Sequence, residues 1–216
     1  MPSPAEIVRA LAERTAFAAP PRGTGRYHYL RTSGWNQHTD RTTEGRVLSA
    51  STEFFDREDW IASDGSGRLL VRRGDTVVRP SGDFPPGGLM GGFLAATDLP
   101  SVAAELRRRT GPAGAVKAFC TFWRTQVVRP ELQRSLLLCL AGQPGLAVED
   151  ADPPGIAVNQ PDPRRRVVRR LVFAPETGML VMTQDIEDGG ATVGGCTRWL
   201  DSGYTDSTES RPQAAS

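Results

Sequence analysis

The sequence predicts an α+β fold: one curved, mainly antiparallel sheet, an open half-barrel, with helices packed on its concave face. Three observations lead there. Residues 25–95 read as short strands broken by Gly, Pro and Asp turns. Residues 98–142 carry three amphipathic helix patterns in succession. Residues 155–204 return to strands. A sheet whose strands come from both sides of a helical insert must close over those helices, because each has an apolar face to bury. Eight to ten strands are expected, with a cavity between the two layers.

The elements follow in order. Pro4 suits a first helical turn, and Ile7, Val8, Leu11 and Thr15 share one side of a helix that Pro20, Pro21 and Gly23 end. A strand at 26–33 alternates Tyr27, Tyr29 and Arg31 against His28 and Leu30. Ser33 to Gly45 is polar and reads as a loop. A strand at 46–55 ends in Phe54 and Phe55, and Trp60-Ile61-Ala62 starts another before the turn signal Asp64-Gly65-Ser66-Gly67. Leu69-Leu70-Val71 and Thr76-Val77-Val78 form a hairpin around Arg73-Gly74-Asp75. Residues 80–96 are a Pro/Gly-rich connection that still carries Leu89, Met90, Phe93 and Leu94, so it must pack on something, either as a lid over the helix–sheet junction or as an ordinary packed loop.

The helices come next. The first starts at Asp98-Pro100 and stops at Gly111-Pro112; the second spans 113–127; the third opens at Pro130 and closes at Gly142. Ile156-Ala157-Val158 resumes the strands. Arg166 to Phe173 and Met179 to Ile186 flank the turn Ala174 to Gly178 as the clearest hairpin. A last strand runs from 192 to 201. A single domain over 1–204 is expected, with 205–216 a disordered tail.

Composition excludes several classes. The chain has 216 residues, 26 Lys+Arg against 25 Asp+Glu, and a net charge of +1. That balance argues against nucleic-acid binding, which needs a basic excess. No apolar run reaches the roughly 20 residues that span a bilayer, so no transmembrane segment is expected. Cys120, Cys139 and Cys196 have no pairwise spacing, so three free thiols are expected and no disulfide. With His28 and His38 they make no metal-ligand spacing, so no metal and no cofactor are expected. Asp64-Gly65-Ser66-Gly67 is not a nucleophile elbow, because a strand follows it. The carboxylate groups around Asp56 and Glu149 lie in expected loops, and the Gly pairs match no phosphate loop. The arginine runs 107–109, 164–166 and 169–170 read as solvated faces or as contacts to an anionic partner.

Four segments carry a resemblance. Gly25-Arg26-Tyr27-His28-Tyr29-Leu30-Arg31-Thr32, Trp60 to Arg68, Leu99-Pro100 and Leu171 to Gly178 resemble, in that order across residues 20–200, an actinobacterial family that is usually membrane-anchored. Its domain is similar to the lipoprotein carriers and sigma-regulator sensors (LolA/RseB-like). The resemblance implies a half-barrel that binds acyl chains or protein tails and is not an enzyme. The matched motifs are turns and strand edges, so they transfer no binding residue. The family's anchor is not in this sequence: the expected location is cytoplasmic if residue 1 is the true start, and extracytoplasmic if an anchor precedes it.

The leading expectation is a non-enzymatic domain that holds an apolar ligand, a lipid or acyl chain, between sheet and helices. Trp60, Met90, Phe93, Phe119, Trp123, Met179 and Met182 are its candidate lining, because flexible Met and aromatics suit an adaptable apolar surface. The alternative is a protein-interaction module in envelope or sigma-factor signalling, with the cavity filled by side chains. An enzyme is the third reading.

Overall fold

The computed structural model describes residues 1–42, 47–89, 92–110, 115–151, 154–162, 167–187 and 193–213. Among them, one sheet of nine strands runs in the order β4-β3-β2-β1-β9-β8-β7-β6-β5. The first four strands form an antiparallel meander: β1 (Tyr27–Arg41), β2 (Val47–Ala62), β3 (Gly67–Arg73) and β4 (Thr76–Phe84). The last five form a second: β5 (Ala147–Ala151), β6 (Gly155–Asp162), β7 (Val167–Phe173), β8 (Leu180–Glu187) and β9 (Val193–Thr205). Antiparallel pairing of β1 with β9 joins the halves. Neither edge strand pairs with the other, so the sheet stays open. The helices are α1 (Pro4–Arg14), α2 (Leu99–Thr110), α3 (Ala115–Thr125) and α4 (Pro130–Ala141). The predicted α+β class, the antiparallel sheet and the 167–173/180–187 hairpin are all present.

Local chemistry sets the helix starts. Ser3 caps α1 through a reciprocal box with Glu6, and Asp98 Oδ1 accepts the Ser101 amide at the start of α2. The helices then cover only part of the sheet. Their core joins Val8 and Leu11 of α1, Val102 of α2, Phe119 and Trp123 of α3, and Leu136 and Leu140 of α4 to Val158, Leu171, Phe173 and Leu180 of the second meander. Phe119 meets Phe173 edge to face at 5.9 Å. Gly178 sits at φ +62°, and a Cβ there would lie 2.2 Å from the Leu11 carbonyl. Only glycine lets α1 come so close to the β7–β8 turn. The first meander has its own small core of Ile61, Leu69 and Leu89.

Several expectations need correction. The polar stretch from Ser33 is no loop: β1 continues to Arg41, paired with β2 throughout. The runs 46–55 and 60–62 are one strand, β2. The mostly polar run from Ser33 to Arg41 gives no apolar alternation, which is the signal that marks strands in sequence. The short Ala-Val-Glu-Asp-Ala of β5 gives none either. Residues 80–84 belong to β4 rather than to the connection. Gly111, Pro112 and Arg164–Arg166 lie outside the described residues.

The tail expected to be disordered from Thr205 is held over its described part. Thr205 ends β9. The Ser210 carbonyl accepts the Trp60 indole N–H at 2.7 Å, and Arg211 donates a fork to Glu58 at 2.8 and 2.9 Å. Pro212 is buried against Gly203. Glu58 is only 5% exposed and also accepts the Tyr29 hydroxyl at 2.7 Å. Burial opposes its charge, but Arg211 and Tyr29 overcome it and hold its pKa below the ordinary value. A polar segment gains order here from one buried carboxylate that needs a cation.

Arg211→Met keeps the stem and removes the fork. It is expected to cost about 1–2 kcal/mol at pH 7, allowing for screening of the exposed guanidinium. Glu58 has a depressed folded pKa, so this contribution is present above the ordinary carboxylate range and fades as pH falls through the folded value. Urea unfolding at pH 7 and pH 3 checks both parts. An unchanged midpoint at pH 7 contradicts the anchoring role.

Candidate functional site

The site is built on α3. Its apolar stripe, Val116, Phe119, Cys120 and Trp123, enters the core. Three indole and amide bonds then fix its height above the sheet. Trp199 of β9 donates its indole N–H to the Trp123 carbonyl at 2.8 Å, and the two rings meet edge to face at 5.6 Å. Trp123 donates its own indole N–H to Gln133 Oε1 at 3.0 Å. Gln133, fully buried on α4, donates to the Gly178 carbonyl at 2.7 Å. Just after α3, Gln126 pairs with both backbone groups of Leu94, and the Val127 amide donates to His28 Nδ1 at 3.0 Å.

The polar stripe of α3 is Lys117, Thr121 and Arg124, spaced four and three residues apart and so on one helical face. It overhangs the part of the concave face that the helices leave uncovered. Two clefts lie beneath it. The larger, about 470 Å³, has an apolar floor that includes Leu30, Ile61 and Val71, and polar walls that include Arg57, Asp59 and Arg124. The smaller, about 340 Å³, lies between α3 and strands β7, β8 and β9. Asn36, Thr121, Arg124 and Thr197 line both, so they are two reaches of one groove. A third hollow, of about 420 Å³, surrounds Trp35 and Phe54.

Charges in the groove are largely paired but remain wet. Arg57 grips Asp59 through two bonds of 2.8 Å, and Asp59 is only 2% exposed. Burial disfavours the Arg57 charge, yet the Asp59 bonds and charge outweigh it and raise its pKa. Arg169 grips Asp185 at 2.8 and 3.2 Å, and Arg73 pairs with Glu53. Arg124 reaches the Thr197 hydroxyl at 3.4 Å.

Nothing in this set resembles a catalytic constellation. Burial, with Arg129 nearby, pushes His28 down to about 4, and its Nδ1 is already an acceptor. Burial pushes the Cys120 thiol up to about 11, the opposite of an activated nucleophile. Cys139 and Cys196 are raised by the same cause, and all three cysteines are free. Among the described residues no group of three His, Cys, Asp or Glu could hold a metal ion, and no helix is long and apolar enough to cross a membrane.

The candidate lining residues are scattered. Phe119 and Trp123 belong to the main core, and Met179, partly buried, packs against it. Met182 belongs to a separate cluster with Ala157 and Val172, on the opposite sheet face from Leu171. Phe93 packs on the Ile61–Leu89 core and lies 4.7 Å from the His28 ring. Trp60 faces Tyr29 and the C-terminal segment. Met90 lies outside the described residues. None of the six that are described lines either reach of the groove. Sequence reasoning missed Arg57, Asp59, Asn36, Arg124 and Thr197. The α3 stripe was the available signal: Lys117, Thr121 and Arg124 at helical spacing.

No protein-family model and no curated protein matches the chain. Solved structures of MucB do. The Pseudomonas aeruginosa MucA/MucB complex is 13% identical, with a TM-score of 0.31, over 92% of this chain and 56% of that one. MucB in complex with MucA(peri) is 11% identical, with a TM-score of 0.31, over 98% and 59%. MucB alone is 15% identical, with a TM-score of 0.32, over 91% and 58%. The chain thus spans less than two thirds of the length of the MucB chains it matches. A superposition this loose transfers no residue.

His28 offers a direct check on the geometry beside the groove. Its folded pKa lies below its unfolded one, so it should destabilise the fold as pH falls from about 6.5 toward 4. An NMR titration of the His28 ring is expected to give a midpoint near 4. A midpoint near 6.5 would mean that the ring is not packed between Phe93 and Tyr204.

Proposed function

We propose that this chain is a non-enzymatic protein-interaction module whose concave groove holds an extended segment of a partner protein. One observation carries the reading: the uncovered part of the concave face is a groove with an apolar floor and polar, charged walls. Each reach has the volume of an ordinary ligand site. An acyl chain there would strip water from Arg57 and Arg124 and return no hydrogen bond, which is costly. A polypeptide carries amides that bond to such walls and side chains that cover the floor. It has both kinds of group at the spacing the groove presents.

The resemblance read in the sequence implies a setting in envelope or sigma-factor signalling. Two of the MucB structures are complexes with MucA. Here a protein partner is inferred from the groove itself. The apolar-ligand reading places the ligand among some of Trp60, Met90, Phe93, Phe119, Trp123, Met179 and Met182, of which Phe119 and Trp123 are buried in the main core.

Selection of displayed twelve-residue peptides tests the proposal, with Thr121→Trp as a plug. Thr121 is exposed on α3 and lines both reaches. Selected peptides are expected to bind the parent protein and to lose at least about tenfold in affinity on Thr121→Trp, about 1.4 kcal/mol, at unchanged thermal stability. Saturable binding of palmitate that stabilises by about 1–3 kcal/mol and ignores Thr121→Trp would favour a lipid carrier instead.

A further inference from the structure

Two elements bring three cations to the smaller reach of the groove. Lys117 and Arg124 come from the polar stripe of α3, and Arg169 comes from β7. Lys117 is the only lysine of the chain. One carboxylate, Asp185, shares the cleft, and it is already committed to Arg169 through two bonds of 2.8 and 3.2 Å. Neither Lys117 nor Arg124 has a carboxylate within ion-pair reach among the described residues. Arg124 feels the Asp59 carboxylate of the larger reach without an ion pair to it, and three cations against one carboxylate leave the lining of the cleft cationic, in a chain whose net charge is only +1. The walls add hydroxyls from Thr183 and Thr197, which can donate to an anionic oxygen. Gly195 leaves the floor bare; a Cβ there would lie 3.1 Å from Asn36 Oδ1.

We infer that this reach is a carboxylate subsite, which takes an Asp or Glu side chain of the segment bound in the groove. The inference rests on the proposed function, because the subsite opens sideways into the larger reach. Asn36, Thr121, Arg124 and Thr197 line both, so a chain lying over the apolar floor can turn one side chain into the cationic end. Asp185 on Arg169 shows how a carboxylate sits in this cleft: Arg169 presents the fork. The second arginine, Arg124, offers the same planar geometry and is held in place through the Thr197 hydroxyl. Pairing an incoming carboxylate with a partly shielded guanidinium also favours acidic segments over neutral ones, since a neutral side chain leaves the cations with water alone.

Fluorescence anisotropy with labelled twelve-residue peptides of alternating glutamate and serine, and of alternating glutamine and serine, decides the matter. Inorganic phosphate is the third probe. The glutamate peptide is expected to bind at least about tenfold tighter than the glutamine peptide at low salt, and to weaken as salt rises. Lys117→Gln with Arg124→Gln should remove most of that difference. Both replaced residues are exposed, and unfolding midpoints confirm that the fold survives. Arg107→Gln, an exposed cation on α2 outside both reaches, should leave the difference intact. Equal binding of the two peptides, or equal losses with Arg107→Gln, overturns the subsite. So does binding of phosphate without binding of the glutamate peptide, which would mark a site for a free anion. If the glutamine peptide binds as well as the glutamate peptide and Thr121→Trp blocks both, the groove reading stands and only the carboxylate subsite falls.

Discussion

Everything about the groove depends on where α3 sits, and that is fixed by one buried chain of hydrogen bonds. Trp199 donates to the backbone of Trp123, Trp123 donates to Gln133, and Gln133 donates to the turn at Gly178. Trp123 and Gln133 are deep enough that an unmet partner there would cost more than the bond itself is worth. The chain thus couples β9, α3, α4 and the β7–β8 turn into one unit. With Trp123 held, the opposite stripe of α3 must project over the sheet beyond the core. An amphipathic helix in this position becomes a roof with a polar underside, and the groove follows.

The two halves of the sheet divide the labour. The second meander lies under four helices and supplies the stable core through Leu171, Phe173 and Leu180. The first meander has only the Ile61–Leu69–Leu89 cluster on that face, and the connection to α2 closes over its end through Gln126 and Leu94. Its remaining concave residues mix apolar Leu30, Phe55 and Val71 with polar Thr32, Asn36, Glu53, Arg57 and Asp59, of which Arg57 is paired with Asp59. On the opposite face the C-terminal segment meets Glu58 and Trp60, so β2 is secured from behind while its front stays open. A binding surface of this kind needs a rigid frame and unsatisfied polar capacity, and the fold places one beside the other.

Much of the frame was legible in the sequence and little of the groove. The helices, the β7–β8 hairpin and the burial of Phe119, Leu136, Leu171 and Phe173 follow from strong apolar periodicity. Trp199 is half-buried, because its indole reaches the edge of the core to bond Trp123. The long reach of β1 beyond Ser33 was invisible, since Ser33 to Arg41 are mostly polar and carry no period-two apolar signal. The candidate lining drew on Met and aromatic residues, of which Phe119 and Trp123 belong to the main core. Arg57 and Asp59 are two apart on one strand and so share a face, but nothing in sequence says that the face is inward. Arg211 had no local signal at all; its partner is 153 residues away.

Mapping amide chemical shifts while a selected peptide is titrated tests the groove most directly. Perturbations centred on Thr32, Asn36, Asp59, Thr121, Arg124 and Thr197 are expected, with Phe119, Trp123 and Met179 unmoved. Shifts confined to the hollow around Trp35 and Phe54, or concentrated on Phe119, Trp123 and Met179, would contradict it: the first would put the interaction outside the groove, and the second would put an apolar ligand inside the core.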